Sequence, residues 1–201
     1  MISIYVTDTL TEIPGEKWWK IKRFFNGKIL ERLEKSPCDS YRLKRFTSRL
    51  MLIQIFDDLG IPLDNLGSLC YNTYGKLVIK HIAYNISISY SNRKTVCLVS
   101  DDKMGIDIED TSIIPAQRQV NLLEQLTSTI IKDRLDFYYI WTKMESIAKI
   151  YEDKGLAEIL YDPEAKERHY THQHFIDNDY LLSLSSAKAF DIVAPVKPIT
   201  V

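Results

Sequence analysis

Gly105-Ile106-Asp107-Ile108-Glu109 reads as a strand, apolar on one face and acidic on the other. Side chains alternate along an extended chain, so Ile106 and Ile108 point into a core while Asp107 and Glu109 share the opposite face. A second stretch, Trp141-Thr142-Lys143-Met144-Glu145-Ser146-Ile147-Ala148-Lys149, completes the reading. Residues four apart on a helix lie one above the other, which makes a stripe of Trp141, Glu145 and Lys149 beside an apolar side of Ile140, Met144, Ile147 and Tyr151. Strand and helix together supply three carboxylates and a lysine. Hard cations such as Mg²⁺ take oxygen ligands and keep positions for water and phosphate oxygens. Asp107, Glu109 and Glu145 are therefore candidate metal ligands, with Lys149 one turn beyond. The plain alternative is a solvated strand end and an exposed helix face, whose Glu145 and Lys149 pair is worth about 0.3–0.5 kcal/mol.

Outward from this centre, the chain looks like an ordinary globular protein. Its 201 residues, 45% hydrophobic and 26% charged, suffice for one full core or two small ones. Cys38, Cys70 and Cys97 are too few and too widely spaced for a disulfide framework or a zinc cluster, and are expected to be reduced. A net charge of -1 gives no reason to expect nucleic acid as a partner. No apolar run is long enough to span a bilayer, and no charged-then-apolar leader stands at Met1, so the expectation is a cytoplasmic protein without a membrane partner.

The first hundred residues open with an alternating strand at 2–6, then a helix from Pro14-Gly15 through Trp18, Ile21 and Phe25. Ser36-Pro37-Cys38-Asp39 has the form of a helix start, with Ser36 as N-cap and Pro37 at the first position. Phe46, Leu50, Ile53 and Phe56 then recur at helical spacing until Gly60 and Pro62. Residues 86–91 alternate and return through 95–99, a hairpin turning near Asn92-Arg93. In the second half, Asp153-Lys154-Gly155 is read as a helix stop. His172 and His174 share a strand face, but no acid or cysteine nearby in sequence completes a metal site.

The order of Gly105 to Glu109, Trp141 to Lys149 and Asp153-Lys154-Gly155-Leu156 resembles the signature of the 4′-phosphopantetheinyl transferases, in particular their larger, pseudo-dimeric surfactin type. That signature is a GxDxE strand, a W-x-x-K-E-x-x-x-K helix and a G-K-G-L-like close. The resemblance implies an α+β fold of two similar halves, each a small antiparallel sheet plus a long helix, related by a pseudo-twofold axis. Residues 1–100 would form the half that binds the coenzyme A nucleotide. Residues 101–201 would carry the metal site and dock the carrier protein. The implied activity is Mg²⁺-dependent transfer of 4′-phosphopantetheine from coenzyme A to a serine of an acyl or peptidyl carrier protein, with Mn²⁺ as the alternative metal. Adenosine 3′,5′-bisphosphate is the expected by-product, and a monomer with both half-sites the expected state.

The same resemblance implies roles for single residues. Asp107, Glu109 and Glu145 would hold the metal, and Glu145 and Lys149 would be catalytic. Arg42 in Asp39-Ser40-Tyr41-Arg42 matches a coenzyme A-holding arginine at the opening of the family's long helix. Lys76 in Tyr71-Asn72-Thr73-Tyr74-Gly75-Lys76 matches the lysine of its G-K-P segment, with Leu77 replacing the proline. Ser89 and Tyr90 stand where the family has the serine and histidine that touch the coenzyme A 3′-phosphate. A phenol donates one hydrogen bond but does not carry a histidine's positive charge. Met144 replaces the family's lysine before the helix glutamate, and Lys143, one residue earlier, is turned about 100° from it. Glu124 lies too early to match an upstream glutamate that is a candidate general base. The apolar series Ile113, Ile114, Val120, Leu123 and Leu126 would dock the carrier, with Arg118 facing its acids, or would pack on the chain's own core. Tyr90, Met144 and the displaced glutamate motivate the alternative, a degenerate relative that binds a carrier protein or a nucleotide without transferring anything.

Overall fold

Residues 1–162, 164, 165, 167–191 and 196–201 are described by the computed structural model, a mixed α+β structure with several small sheets. It divides into two units, Met1–Asp101 with Ala194–Val201, and Asp102–Val193. In chain order the first unit contains β1 (Ile2–Asp8), α1 (Trp18–Phe24), α2 (Gly27–Glu34), α3 (Asp39–Asp58), β2 (Cys70–Tyr71), β3 (Leu77–Val78), β4 (Asn85–Ser91) and β5 (Lys94–Ser100). The second contains β6 (Met104–Asp110), α4 (Gln117–Thr127), α5 (Arg134–Ile150), α6 (Leu156–Leu160), β7 (Tyr170–Ile176) and β8 (Tyr180–Ser186). A last strand, β9 (Val196–Pro198), returns to the first unit.

In the first unit β4, β5 and β1 pair antiparallel, and β9 lies parallel to β1 at the edge, Ile4 opposite Val196 and Val6 opposite Pro198. The C-terminal residues therefore belong with the first unit rather than with the half that precedes them. The expected hairpin is present, and Asn92 takes the positive φ its turn requires. The helical spacing of Phe46, Leu50 and Phe56 is realised in α3, where these residues join Met51, Leu52 and Ile55 in the core. That helix starts later than expected. Its N-cap is Cys38, and the Ser36 hydroxyl instead donates to the Arg32 carbonyl, because α2 already occupies residues up to Glu34. Asn26 nucleates α2: its Oδ1 accepts from the Lys28 and Ile29 amides, and its Nδ2 donates to the Gly67 and Leu69 carbonyls.

In the second unit β6, β8 and β7 form an antiparallel sheet in that order, crossed by α5. Asp177 and Asn178, both at positive φ, make the turn between β7 and β8. Phe137, Tyr138, Met144, Ile147 and Ala148 of α5 pack with Leu123, Ile159, Leu160 and Leu181, so Met144 fills core volume. Val120 and Leu126 pack against the same core, whereas Ile113 and Ile114 are exposed. The helix stop differs from expectation. α5 ends at Ile150, and Gly155, at a φ of -92°, is the N-cap of α6. Among the described residues no helix is long and apolar enough to cross a membrane. All three cysteines are free thiols: Cys38 exposed, Cys70 half-buried, Cys97 buried.

Candidate functional site

Both faces of β6 are covered. Ile106 and Ile108 are fully buried, as alternation requires; opposite them Asp107 is buried and Glu109 half-buried, so little of the acidic face is solvated. It lies beneath α5, so close that a Cβ on Gly105 would collide with the Ser146 carbonyl oxygen. The glycine is needed for this approach rather than for a turn. Asp107 is consequently only 3% exposed, and it accepts a hydrogen bond from Lys149 Nζ at 2.7 Å. Burial presses the Lys149 ammonium to lose its proton, yet the attraction of Asp107, Glu145 and Glu109 outweighs it and raises the pKa. Lys149 is therefore a charged, largely buried cation on which three carboxylates act.

Among the described residues no group of three or more His, Cys, Asp or Glu side chains is gathered to hold a metal ion. Asp107, Glu109 and Glu145 converge electrostatically on Lys149. As donors, three carboxylates from a strand and a helix are the oxygen set a hard divalent cation takes. Glu124, in the last turn of α4, is engaged elsewhere: its Oε1 accepts from the Ile131 amide at 2.9 Å and closes the loop before α5. Arg118 is exposed on α4. The histidines of the β7 region have structural neighbours. His169 Nδ1 lies 2.7 Å from the Ala165 carbonyl and its Nε2 3.0 Å from the Tyr151 hydroxyl, while His172 Nε2 is 3.2 Å from the Phe190 carbonyl. Burial, and then the neighbouring His172, lower the His174 pKa.

The first unit holds a second polar centre that the sequence reading left out. Arg49, on α3, is 1% exposed and donates to the Ser48 hydroxyl at 2.7 Å and to the Tyr71 hydroxyl. Ser48 Oγ lies 3.1 Å from the Tyr90 hydroxyl, so Tyr90 joins this centre. The guanidinium of Arg32 lies 3.8 Å from the centre of the Tyr71 ring, and Arg45 donates to the Arg32 carbonyl and Ser36 Oγ. Arg42 lies over the Trp18 ring at 5.8 Å. The Nε atoms of Arg42 and Arg49 are buried with no hydrogen-bond partner among the described residues. Among those residues none of these four arginines pairs with a carboxylate. A buried guanidinium among neutral hydroxyls is suited to an anion. The signal was available: Arg49 falls three residues after Phe46 and one before Leu50, on the apolar side of the helix.

The other expected nucleotide contacts are dispersed. Ser89 lies on the face of β4 opposite Tyr90, by alternation, and is buried. Lys76 closes the turn between β2 and β3, its amide donating to Asn72 Oδ1 at 2.9 Å and its Nζ 5.7 Å from the centre of the Tyr74 ring.

No protein-family model matches the chain, and no curated protein matches its sequence.

Proposed function

We propose that the protein is a Mg²⁺-dependent 4′-phosphopantetheinyl transferase acting on a serine of an acyl or peptidyl carrier protein. The observation that carries the reading is the buried Lys149 ammonium held by Asp107 at 2.7 Å and stabilised further by Glu145 and Glu109. Asp107, Glu109 and Glu145 are the residues that would hold the metal, and the bound ion would supply charge neutralisation at the coenzyme A pyrophosphate. The carrier serine oxygen bonds to the phosphorus that bears the pantetheine arm, and the bond from that phosphorus to the bridging oxygen breaks. The serine proton passes to Glu145, and the Lys149 ammonium offsets the charge on the departing adenosine 3′,5′-bisphosphate. The arginine centre around Arg49, with Arg42, offers the cationic groups a nucleotide phosphate needs. Lys76, Ser89 and Tyr90 are assigned to coenzyme A on the resemblance. The exposed Ile113 and Ile114 are the assigned contact for the carrier. A pseudo-twofold relation between the two halves, a monomeric state and a cytoplasmic location belong to the same proposal.

Intact-mass spectrometry of unmodified carrier proteins, incubated with the protein, coenzyme A and Mg²⁺ beside an EDTA control, tests it. The expected outcome is addition of one phosphopantetheine mass, lost in EDTA. A second reading, binding without transfer, draws on the Tyr90 phenol and the Glu124 side chain committed to the Ile131 amide. Coenzyme A that raises the melting temperature but leaves every carrier at its original mass would favour that reading.

A further inference from the structure

Two rows of small polar side chains lie beneath α5. Asp107, Ser183 and Gln173 stand side by side across β6, β8 and β7, and Gly105, Ser185 and Thr171 form the next row. In the first row Ser183 Oγ donates to Thr142 Oγ1 at 2.6 Å, while Gln173 Nε2 lies 2.7 Å from Ser183 Oγ, 3.0 Å from Thr142 Oγ1 and 2.9 Å from the Tyr139 carbonyl. In the second row Ser146 Oγ is 2.7 Å from Ser185 Oγ, which is 2.8 Å from Thr171 Oγ1. Thr142, Ser146, Ser183 and Ser185 are all buried. Helices usually meet sheets through apolar side chains, whose attraction is non-directional and tolerates sliding and rotation. Hydrogen bonds between fixed donors and acceptors do not tolerate it, and buried networks specify one arrangement.

We propose that this polar seam sets the rotation and axial register of α5 on β6, and that Thr142, Ser183 and Gln173 are positioning residues for Lys149 and Glu145. Asp107 stands in the same row as Ser183 and Gln173, so the seam and the Lys149 bond share one line across the sheet. A turn of the helix by one residue's worth, about 100°, would carry Lys149 away from Asp107 altogether. A smaller rotation misaligns the pair. The expected effect on turnover rests on the transferase reading, whereas the effect on Lys149 does not.

Thr142→Val keeps the shape of the side chain and removes the hydroxyl. Two measurements on the full chain separate the proposal from the activity. The ¹⁵N signal of the Lys149 ammonium, assigned by its loss in Lys149→Arg, reports the bond to Asp107 directly. It is expected to shift or broaden in Thr142→Val and to return in Thr142→Ser. Phosphopantetheine transfer is expected to fall in kcat by about tenfold or more, with KM for coenzyme A unchanged, since misplacement of a reacting group affects the chemical step. An unchanged Lys149 signal in folded Thr142→Val overturns the proposal, whether or not the wild-type protein transfers anything. A wild-type protein without transfer but with the signal change overturns the transferase reading and leaves the seam standing. Should Thr142→Val fail to fold, Gln173→Leu removes the amide from the same row and is judged by the same signal.

Discussion

Arg49 and Lys149 are two largely buried cations in opposite company. Lys149 is surrounded by carboxylates, so removing it leaves Asp107 a buried charge with its principal counter-charge gone. Lys149→Met is expected to cost about 3 kcal/mol in urea denaturation, in the range found when one partner of a buried pair is deleted. A cost under about 1 kcal/mol would mean that water screens the pair. Among the described residues Arg49 donates hydrogen bonds only to hydroxyl groups, and its solvation cost is poorly offset. Arg49→Met should therefore leave the unliganded protein as stable as before, within about 1 kcal/mol, or make it more stable. The same substitution should abolish the rise in melting temperature produced by coenzyme A, and an undiminished rise would remove Arg49 from the proposed binding centre. Sequence made Lys149 legible because an i,i+4 stripe pairs it with Glu145. Its bond to Asp107 was not, because that contact depends on how closely two elements approach.

The approach of α5 to β6 is a property of elements, and Gly105 controls it. Gly105→Ala would force a Cβ into the Ser146 backbone carbonyl, with no flexible side-chain end to yield. The expected cost is about 2–3 kcal/mol or more, read from thermal or urea unfolding, and wild-type stability would refute the close packing. Tyr138, in α5, gives a pH signature. Burial, aided by Glu109 and Asp110, pushes its phenol up to about 12, and the hydroxyl donates to the Ile113 carbonyl. The unfolded phenol titrates near 10, so the folded state holds the proton more tightly. Stability should be full below pH 10 and fall as pH rises through 12, by on the order of 1–2 kcal/mol once solvent screening is discounted, with Tyr138→Phe removing this component. The long helices were readable from their apolar spacing. α2 was not, because it is short and its start depends on Asn26 reaching both the helix amides and the Gly67 and Leu69 carbonyls. Gly155 was misread for a related reason: glycine serves at either end of a helix, and only its φ distinguishes the N-cap of α6 from a stop.

At the scale of the whole molecule, a net charge of -1 conceals a separation. The first unit carries 16 Lys and Arg against 10 Asp and Glu, a balance of +6, and the second carries 10 against 17, a balance of -7. Exchange resins respond to local fields rather than to the sum, so at low ionic strength near pH 7 the protein should be retained by both cation and anion exchangers. Passage through the cation exchanger without retention would show that the first unit's charges do not act together. The separation could be counted from the sequence once the boundary near residue 101 was known, whereas the return of the last strand across that boundary had no local signal. Pairing of β9 with β1 also gives the chain an order of assembly during synthesis. The first unit leaves the ribosome early but cannot complete its sheet until residues 196–198 have followed, so for that interval the free edge of β1 is open to other strands, and the unit made first is the one finished last.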